Sequence, residues 1–189
     1  QYNGYLFDEI TVTVDSNGYP WVAYRRVPDG GGTQGWIEAH KATTTNGSSW
    51  GSAQQVYASD PSKSYFPTLL SLSNGKVYCL WHKAYRGEMY GKLYSGSWGS
   101  LETLESIKYY YLRSALVLNG NIHLVYIKDG TNDLRYVIRD NNGWNTPTTI
   151  QTGVSNAPVI SRDGSKLYVF YAKNNHIYYI YWSLGAWNG

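Results

Sequence analysis

Asn119-Gly120-Asn121-Ile122-His123-Leu124-Val125-Tyr126 carries the pattern on which the fold turns: a turn dipeptide, then a short apolar run that ends on an aromatic. Asn-Gly suits a type I′ hairpin because both central residues need positive φ, so the dipeptide joins two antiparallel strands. The arrangement recurs at Asn17-Gly18 before Trp21 to Tyr24, at Asn74-Gly75 before Val77 to Trp81, and at Asp163-Gly164 before Leu167 to Tyr171. Successive glycines lie 57, 45 and 44 residues apart, and the closing aromatic falls six, six, six and seven residues beyond its glycine. A second marker, tryptophan after a small polar turn, recurs at Trp50, Trp98, Trp144 and Trp187 with spacings of 48, 46 and 43. Two independent markers therefore share one period, the signature of a repeat architecture.

The runs are rich in Val, Ile, Thr, Tyr and Trp, which fit a pleated, half-buried surface. Each repeat reads as four strands; in the third they are Ala115 to Leu118, Ile122 to Tyr126, Leu134 to Ile138, and Trp144 to Ile150. A four-stranded unit of about 45 residues matches a propeller blade. The reading is an all-β chain, one domain over 1–189, forming a β-propeller of four four-stranded blades at about 8–58, 64–105, 110–151 and 154–189. The extra length of the first repeat falls between its second and third strands, at Val27-Pro28-Asp29-Gly30-Gly31-Gly32-Thr33, where a repeat tolerates insertion. The fourth repeat stops at Trp187-Asn188-Gly189, where its outer strand begins. An uncovered strand edge invites pairing. Three alternatives stand for it: Gln1 to Phe7 complete the last blade, two chains complete one ring, or the chain is part of a longer propeller.

Charged residues make up 15% of the 189 and aromatics 16%, a balance that excludes a coiled coil or a disordered tail. No run of eighteen apolar residues occurs, so no helix is expected to span a membrane. Gln1-Tyr2-Asn3-Gly4 lacks the basic-then-apolar pattern of a secretory signal, so the chain reads as mature or as a segment. Cys79, inside an apolar run, reads as a small buried hydrophobe, and a lone cysteine allows no internal disulfide. Few thiols, 20 tyrosines and an acceptor sequon at Asn46-Gly47-Ser48 lead to the expectation of an extracellular or cell-surface protein. A formal charge of +3 is too small to imply nucleic acid.

The chain resembles the sialidase-like, or BNR-repeat, β-propeller superfamily, on the strength of Asp15-Ser16-Asn17-Gly18-Tyr19-Pro20-Trp21-Val22-Ala23-Tyr24 and Asn119 to Tyr126, each followed by a Gly/Trp turn. That family's Asp-box is Ser-x-Asp-x-Gly-x-Thr-Trp. Thr43-Thr44-Thr45-Asn46-Gly47-Ser48-Ser49-Trp50 keeps the Gly and Trp spacing without the aspartate, and the other three turns are shorter. The resemblance implies a propeller fold. Sialidases of the superfamily also use an arginine triad, a tyrosine nucleophile paired with a glutamate, and an aspartate acid. Their Arg-Ile-Pro motif has only a loose echo in Tyr24-Arg25-Arg26-Val27-Pro28, and among 20 tyrosines no tyrosine–glutamate pair stands out. Fold analogy does not supply chemistry.

In a blade the one–two and three–four turns lie on one face, and the two–three loops and connectors on the other. The loop face gathers Arg25, Arg26, Lys63, Lys83, Arg86, Lys108, Arg113, Lys128 and Lys173 against Asp29, Asp60, Glu88, Asp129 and Asp133, a net of plus four. The expected ligand-binding residues are Arg25, Arg26, Trp81, His82, Lys83, Arg86, Arg113 and Lys128, because arginine forks suit carboxylates and flat aromatics stack on sugar rings. The repeat tryptophans read as hairpin anchors rather than four lectin sites. His40, His82, His123 and His176 show no metal-ligand spacing, and Asp129-Gly130-Thr131-Asn132-Asp133 reads as a turn rather than a calcium loop, so no metal and no cofactor is expected.

These readings converge on a non-catalytic extracellular module that binds an acidic glycan or surface polysaccharide, or assembles with copies of itself, with no nucleic-acid partner. The alternative is a carbohydrate-active enzyme. A polysaccharide lyase would draw on Arg86, His82 and Tyr85, and a sialidase-like hydrolase working by paired carboxylates on Asp29 and Glu88.

Overall fold

A computed structural model describes residues 4–29, 35–58, 64–83, 86–108, 112–183 and 185–189. The chain divides into two units, Gln1–Leu104 and Glu105–Gly189. The first sheet holds β1 (Tyr5–Val14), β2 (Pro20–Pro28), β3 (Trp36–Lys41) and β4 (Gln54–Tyr57) in chain order. The second holds β5 (Ser64–Ser71), β6 (Val77–Lys83), β7 (Gly87–Tyr94) and β8 (Glu102–Ile107). In the third, β9 (Arg113–Leu118), β10 (Asn121–Ile127) and β11 (Leu134–Asp140) are followed by two short strands, β12 (Gly143–Trp144) and β13 (Thr148–Gln151), which share the outer side of β11. The fourth holds β14 (Val159–Asp163), β15 (Lys166–Lys173), β16 (His176–Ser183) and β17 (Ala186–Asn188). Every described pairing is antiparallel.

Two of the four turn markers, Asn74-Gly75 and Asn119-Gly120, take positive φ at both residues as a type I′ turn requires; in Asn17-Gly18 and Asp163-Gly164 only the glycine does. The tryptophan marker has a plain cause: Trp50, Trp98, Trp144 and Trp187 each bridge the end of a third strand, opposite Ala42, Tyr94, Arg139 and Trp182. The outer edge of the fourth sheet is occupied by Ala186–Asn188. Gln1 to Phe7, offered as a strand for that edge, behave differently: Tyr5, Leu6 and Phe7 begin β1 and pair with Pro28, Val27 and Arg26 of β2, while residues 1–3 lie outside the described residues.

Period-two alternation sets the core. In the first unit Trp21 and Ala23 of β2 and Ile37 and Ala39 of β3 pack against Val77, Cys79 and Trp81 of β6 and Tyr90 of β7. In the second, Val125, Ile127, Leu134 and Tyr136 pack against Leu167, Val169, Tyr171 and Ile180. Cys79 is fully buried, a small hydrophobe among larger ones. No described helix is long and apolar enough to cross a membrane.

Candidate functional site

Alternation also places the site. Because Trp21 and Ala23 face the core, their neighbours Tyr24 and Arg26 must take the opposite face of β2; Ile37 and Ala39 likewise send Glu38 and His40 to that face of β3. Pairing of Phe7 with Arg26 and of Tyr24 with Glu38 then brings these side chains together. They line a cleft of about 150 Å³ whose walls are Phe7, Tyr24, Arg26, Glu38, His40 and Ala53.

The polar groups form one connected chain. Arg26 Nη1 donates to Glu38 Oε1 at 2.8 Å, and the guanidinium lies over the Tyr5 ring, 3.8 Å from its centre. The Tyr24 hydroxyl is 3.3 Å from Glu38 Oε2 and 2.8 Å from His40 Nε2. His40 Nδ1 is 2.9 Å from the Gly51 carbonyl, which can only accept, so Nδ1 carries a proton. With His40 doubly protonated the chain runs from His40 to Tyr24 to Glu38, each donating to the next; with a neutral ring Tyr24 donates to His40 instead. Phe7 meets Tyr24 edge to face with ring centres 5.3 Å apart, giving the cleft an aromatic wall.

The residues expected to bind ligand fare unequally. Arg26 lines the cleft. Trp81 and His82 are fully buried, because β6 is covered on both faces, so they offer a ligand no surface. Arg25 is held by Asp8 through two hydrogen bonds of 2.7 and 2.6 Å and lies over the Tyr65 ring. Lys128 is paired with Glu105 at 3.0 Å. Lys83 lies 5.9 Å from the Tyr90 ring centre, Arg113 is half-buried on β9, and Arg86 is exposed. Lys63, Asp60 and Tyr85 lie outside the described residues.

Three of the nine cations counted on the loop face, Arg25, Arg26 and Lys128, are thus paired with carboxylates. Its tally included loop residues alone, whereas Asp8, Glu38 and Glu105 come from strands and reach the same cations. Glu105 also accepts from Tyr126 at 2.6 Å and lies 3.2 Å from Arg135 Nε. Burial by itself would raise the Glu105 pKa, but Tyr126, Lys128 and Arg135 outweigh it and hold the carboxyl below its ordinary value.

Three tyrosine–glutamate pairs emerge among the described residues: Tyr24 with Glu38, Tyr78 with Glu102 at 3.0 Å, and Tyr126 with Glu105. Tyr78 and Tyr126 are fully buried, whereas Tyr24 opens on the cleft. Sequence reasoning missed Tyr24, Glu38 and His40 as a group. The available signal was Tyr-x-Arg on one strand and Glu-x-His on the next, but seven residues separate the end of β2 from the start of β3, and a connection of that length does not by its sequence fix the register. Among the described residues no three His, Cys, Asp or Glu side chains gather at one point. In the loop offered for calcium, Thr131 Oγ1 accepts from the Asp133 amide at 3.2 Å, a local turn bond.

No protein-family model matches the chain, and no curated protein matches it in sequence. Solved structures do. A Hadza microbial sialidase aligns with 97% of this chain at 10% identity and a TM-score of 0.64, over 46% of its own length. A mutant Aleuria aurantia lectin in complex with α-methyl-L-fucoside aligns with 95% of the chain at 16% identity and a TM-score of 0.57, over 58% of its length. Another structure of that lectin, described as a six-bladed β-propeller with a novel fucose recognition mode, aligns with 95% of the chain at 15% identity, over 76% of its length, with a TM-score of 0.52. The chain therefore spans about half the length of the first two proteins. At these identities the likeness is one of fold alone, to proteins that include a six-bladed β-propeller.

Proposed function

We propose that this chain is a non-catalytic carbohydrate-binding propeller module and that the cleft of Phe7, Tyr24, Arg26, Glu38, His40 and Ala53 holds one sugar residue. The observation that carries this reading is the Arg26–Glu38 pair, 2.8 Å apart, beneath the Phe7–Tyr24 wall. Guanidinium and carboxylate side by side offer donors and acceptors to neighbouring hydroxyls, and an aromatic wall suits the C–H face of a sugar ring. A fucose-binding lectin among the structural neighbours agrees with this class of ligand. Glu38 in the cleft repels a carboxylate, which favours a neutral sugar over the acidic glycan expected from the loop charges. Hydrolysis by a carboxylate pair would call for two acids across the bond, and among the described residues Glu38 is the one acid lining the cleft. An extracellular setting is consistent with the exposed Asn46 of the sequon turn.

A glycan array followed by calorimetric titration of the strongest neutral hit tests the proposal. Arg26→Ala and Glu38→Gln are each expected to weaken binding at least tenfold, while Arg86→Ala leaves it unchanged. Binding that survives both cleft substitutions, or release of reducing sugar by the native chain, would overturn it.

A further inference from the structure

In every repeat the aromatic that closes the second strand is followed two residues later by a base: Arg26 after Tyr24, Lys83 after Trp81, Lys128 after Tyr126 and Lys173 after Tyr171. Residues two apart on a strand share a face, so each base follows its aromatic on one side of its sheet. The four bases are engaged differently. Arg26 donates to Glu38 at 2.8 Å, Lys128 lies 3.0 Å from Glu105, and Lys83 lies 5.9 Å from the centre of the buried Tyr90 ring. Lys173 meets an amide instead, its Nζ 3.4 Å from Gln151 Oε1. Among the described residues no carboxylate comes within ion-pair distance of Lys173.

The strand opposite differs as well. Tyr24 pairs with Glu38 in the first sheet, whereas in the fourth Tyr171 pairs with Tyr178 and Lys173 with His176. The Tyr171 and Tyr178 rings stack with centres 5.8 Å apart and planes at 21°. Tyr171 is buried and Tyr178 is 43% exposed, so the outer ring forms a flat floor backed by an inner one. Gln151 Nε2 donates to the Tyr171 hydroxyl at 3.0 Å and fixes that inner ring. His176 flanks the floor, its ring centre 6.3 Å from that of Tyr178, with Nδ1 2.7 Å from the Asn174 carbonyl. That carbonyl can only accept, so Nδ1 carries a proton and Nε2 is left for a ligand. All these residues belong to Glu105–Gly189, and they share the face on which Val169 and Ile180 join the core of that unit.

We propose that this shelf binds a sugar acid, its carboxylate on Lys173 Nζ and the C–H face of its ring on Tyr178. The shelf and the first cleft stand at corresponding positions of their repeats and carry opposite charge there. Glu38 beside Arg26 repels a carboxylate, whereas Lys173 brings a cation with Tyr178 in the place of the acid. A lysine ammonium is a point charge on a flexible stem and reaches one carboxylate without a fork geometry. Stacking on an exposed aromatic, with polar groups at the rim, fixes the ring of the sugar. The class of ligand rests on the carbohydrate reading above, but none of the first cleft's residues takes part.

Heteronuclear NMR titration of the full chain with methyl β-D-glucuronide, and with methyl β-D-glucoside as its neutral counterpart, tests the proposal. The glucuronide is expected to move the amide signals of Tyr171 to Tyr178 and to bind there about tenfold more tightly than the glucoside, with the affinity falling as salt is added. Lys173→Gln and Tyr178→Ala are each expected to weaken it about tenfold, Lys173→Arg to retain it, and Arg26→Ala to leave it unchanged. Lys173→Gln removes the charge without touching the core, so its loss of binding is read on a folded chain. Absence of glucuronide shifts at Tyr171 to Tyr178, equal affinity for the two glycosides, or binding that survives Lys173→Gln would overturn the proposal. Glucuronide held at Tyr178 by a chain whose first cleft takes no neutral sugar removes only the reading of that cleft. A neutral sugar held by Arg26 and Glu38, with no glucuronide at Tyr178, removes only the shelf.

Discussion

Asp15 is the residue that ties the first turn to its sheet. Its buried carboxylate accepts from the amides of Asn17 and Tyr19 and from Trp21 Nε1, each at 3.0 Å, and lies 3.2 Å from Lys41 Nζ. Burial alone would raise its pKa, but Trp21, Tyr19, Lys41 and Asn17 together hold it below the ordinary carboxylate value. Asp15→Ala is expected to lower stability by about 2–3 kcal/mol, read from the urea midpoint, since bonds to a charged acceptor are lost and buried donors are stranded. The pH sign follows from the lowered folded value. Asp15 stabilises the fold above its unfolded pKa of about 3.9, and that contribution disappears as pH falls through the folded value. Asp15→Asn is expected to flatten the acid limb of the stability curve. His123 acts in a higher window. It is buried beside Tyr136, with Nδ1 2.6 Å from that hydroxyl, and burial lowers its pKa despite an opposing backbone contact from Leu118. Its neutral form is favoured in the fold, so stability is expected to decline as pH drops below about 6.5, its ordinary value. Comparing urea midpoints of the native chain and His123→Gln at pH about 7.5 and 5.5 checks this, and the variant should show the smaller loss.

At the scale of elements, β6 and β7 show why a glycine can be compulsory inside a strand. A Cβ on Gly91 would run into the ring and hydroxyl of Tyr78, which is fully buried and whose hydroxyl donates to Glu102. Gly91→Ala must displace that ring, and is expected to cost about 1–3 kcal/mol, measured by thermal or urea unfolding. The hairpins that open each repeat were legible because Asn-Gly and Asp-Gly mark turns, and Gly18, Gly75, Gly120 and Gly164 indeed take positive φ. The β2–β3 hairpin was not legible to the same degree. Its loop spans residues 29–35, so nothing local sets which residue of β3 faces Tyr24. That register, Tyr24 opposite Glu38, is what builds the cleft.

Across the whole molecule, the last residues illustrate how each unit holds itself together. Trp187 in β17 meets Tyr136 with ring centres 4.9 Å apart and pairs with Trp182, so the final strand pins the fourth sheet to the core of the second unit. Trp187→Ala is expected to destabilise that unit by about 2–3 kcal/mol and to raise hydrogen exchange along β16, whose outer side it covers. By itself the sequence determined the all-β class, the four repeats, the hairpin turns and the buried place of Cys79, because backbone conformation at glycine and period-two alternation are local properties. The tertiary structure alone decided which cations remain available, since Asp8, Glu38 and Glu105 reach Arg25, Arg26 and Lys128 from other strands. It alone placed Trp81 and His82 out of reach and joined Tyr24, Arg26, Glu38 and His40 in one cleft. Charge pairing and burial depend on strands distant in the chain, and no count of residues along it records which of them meet.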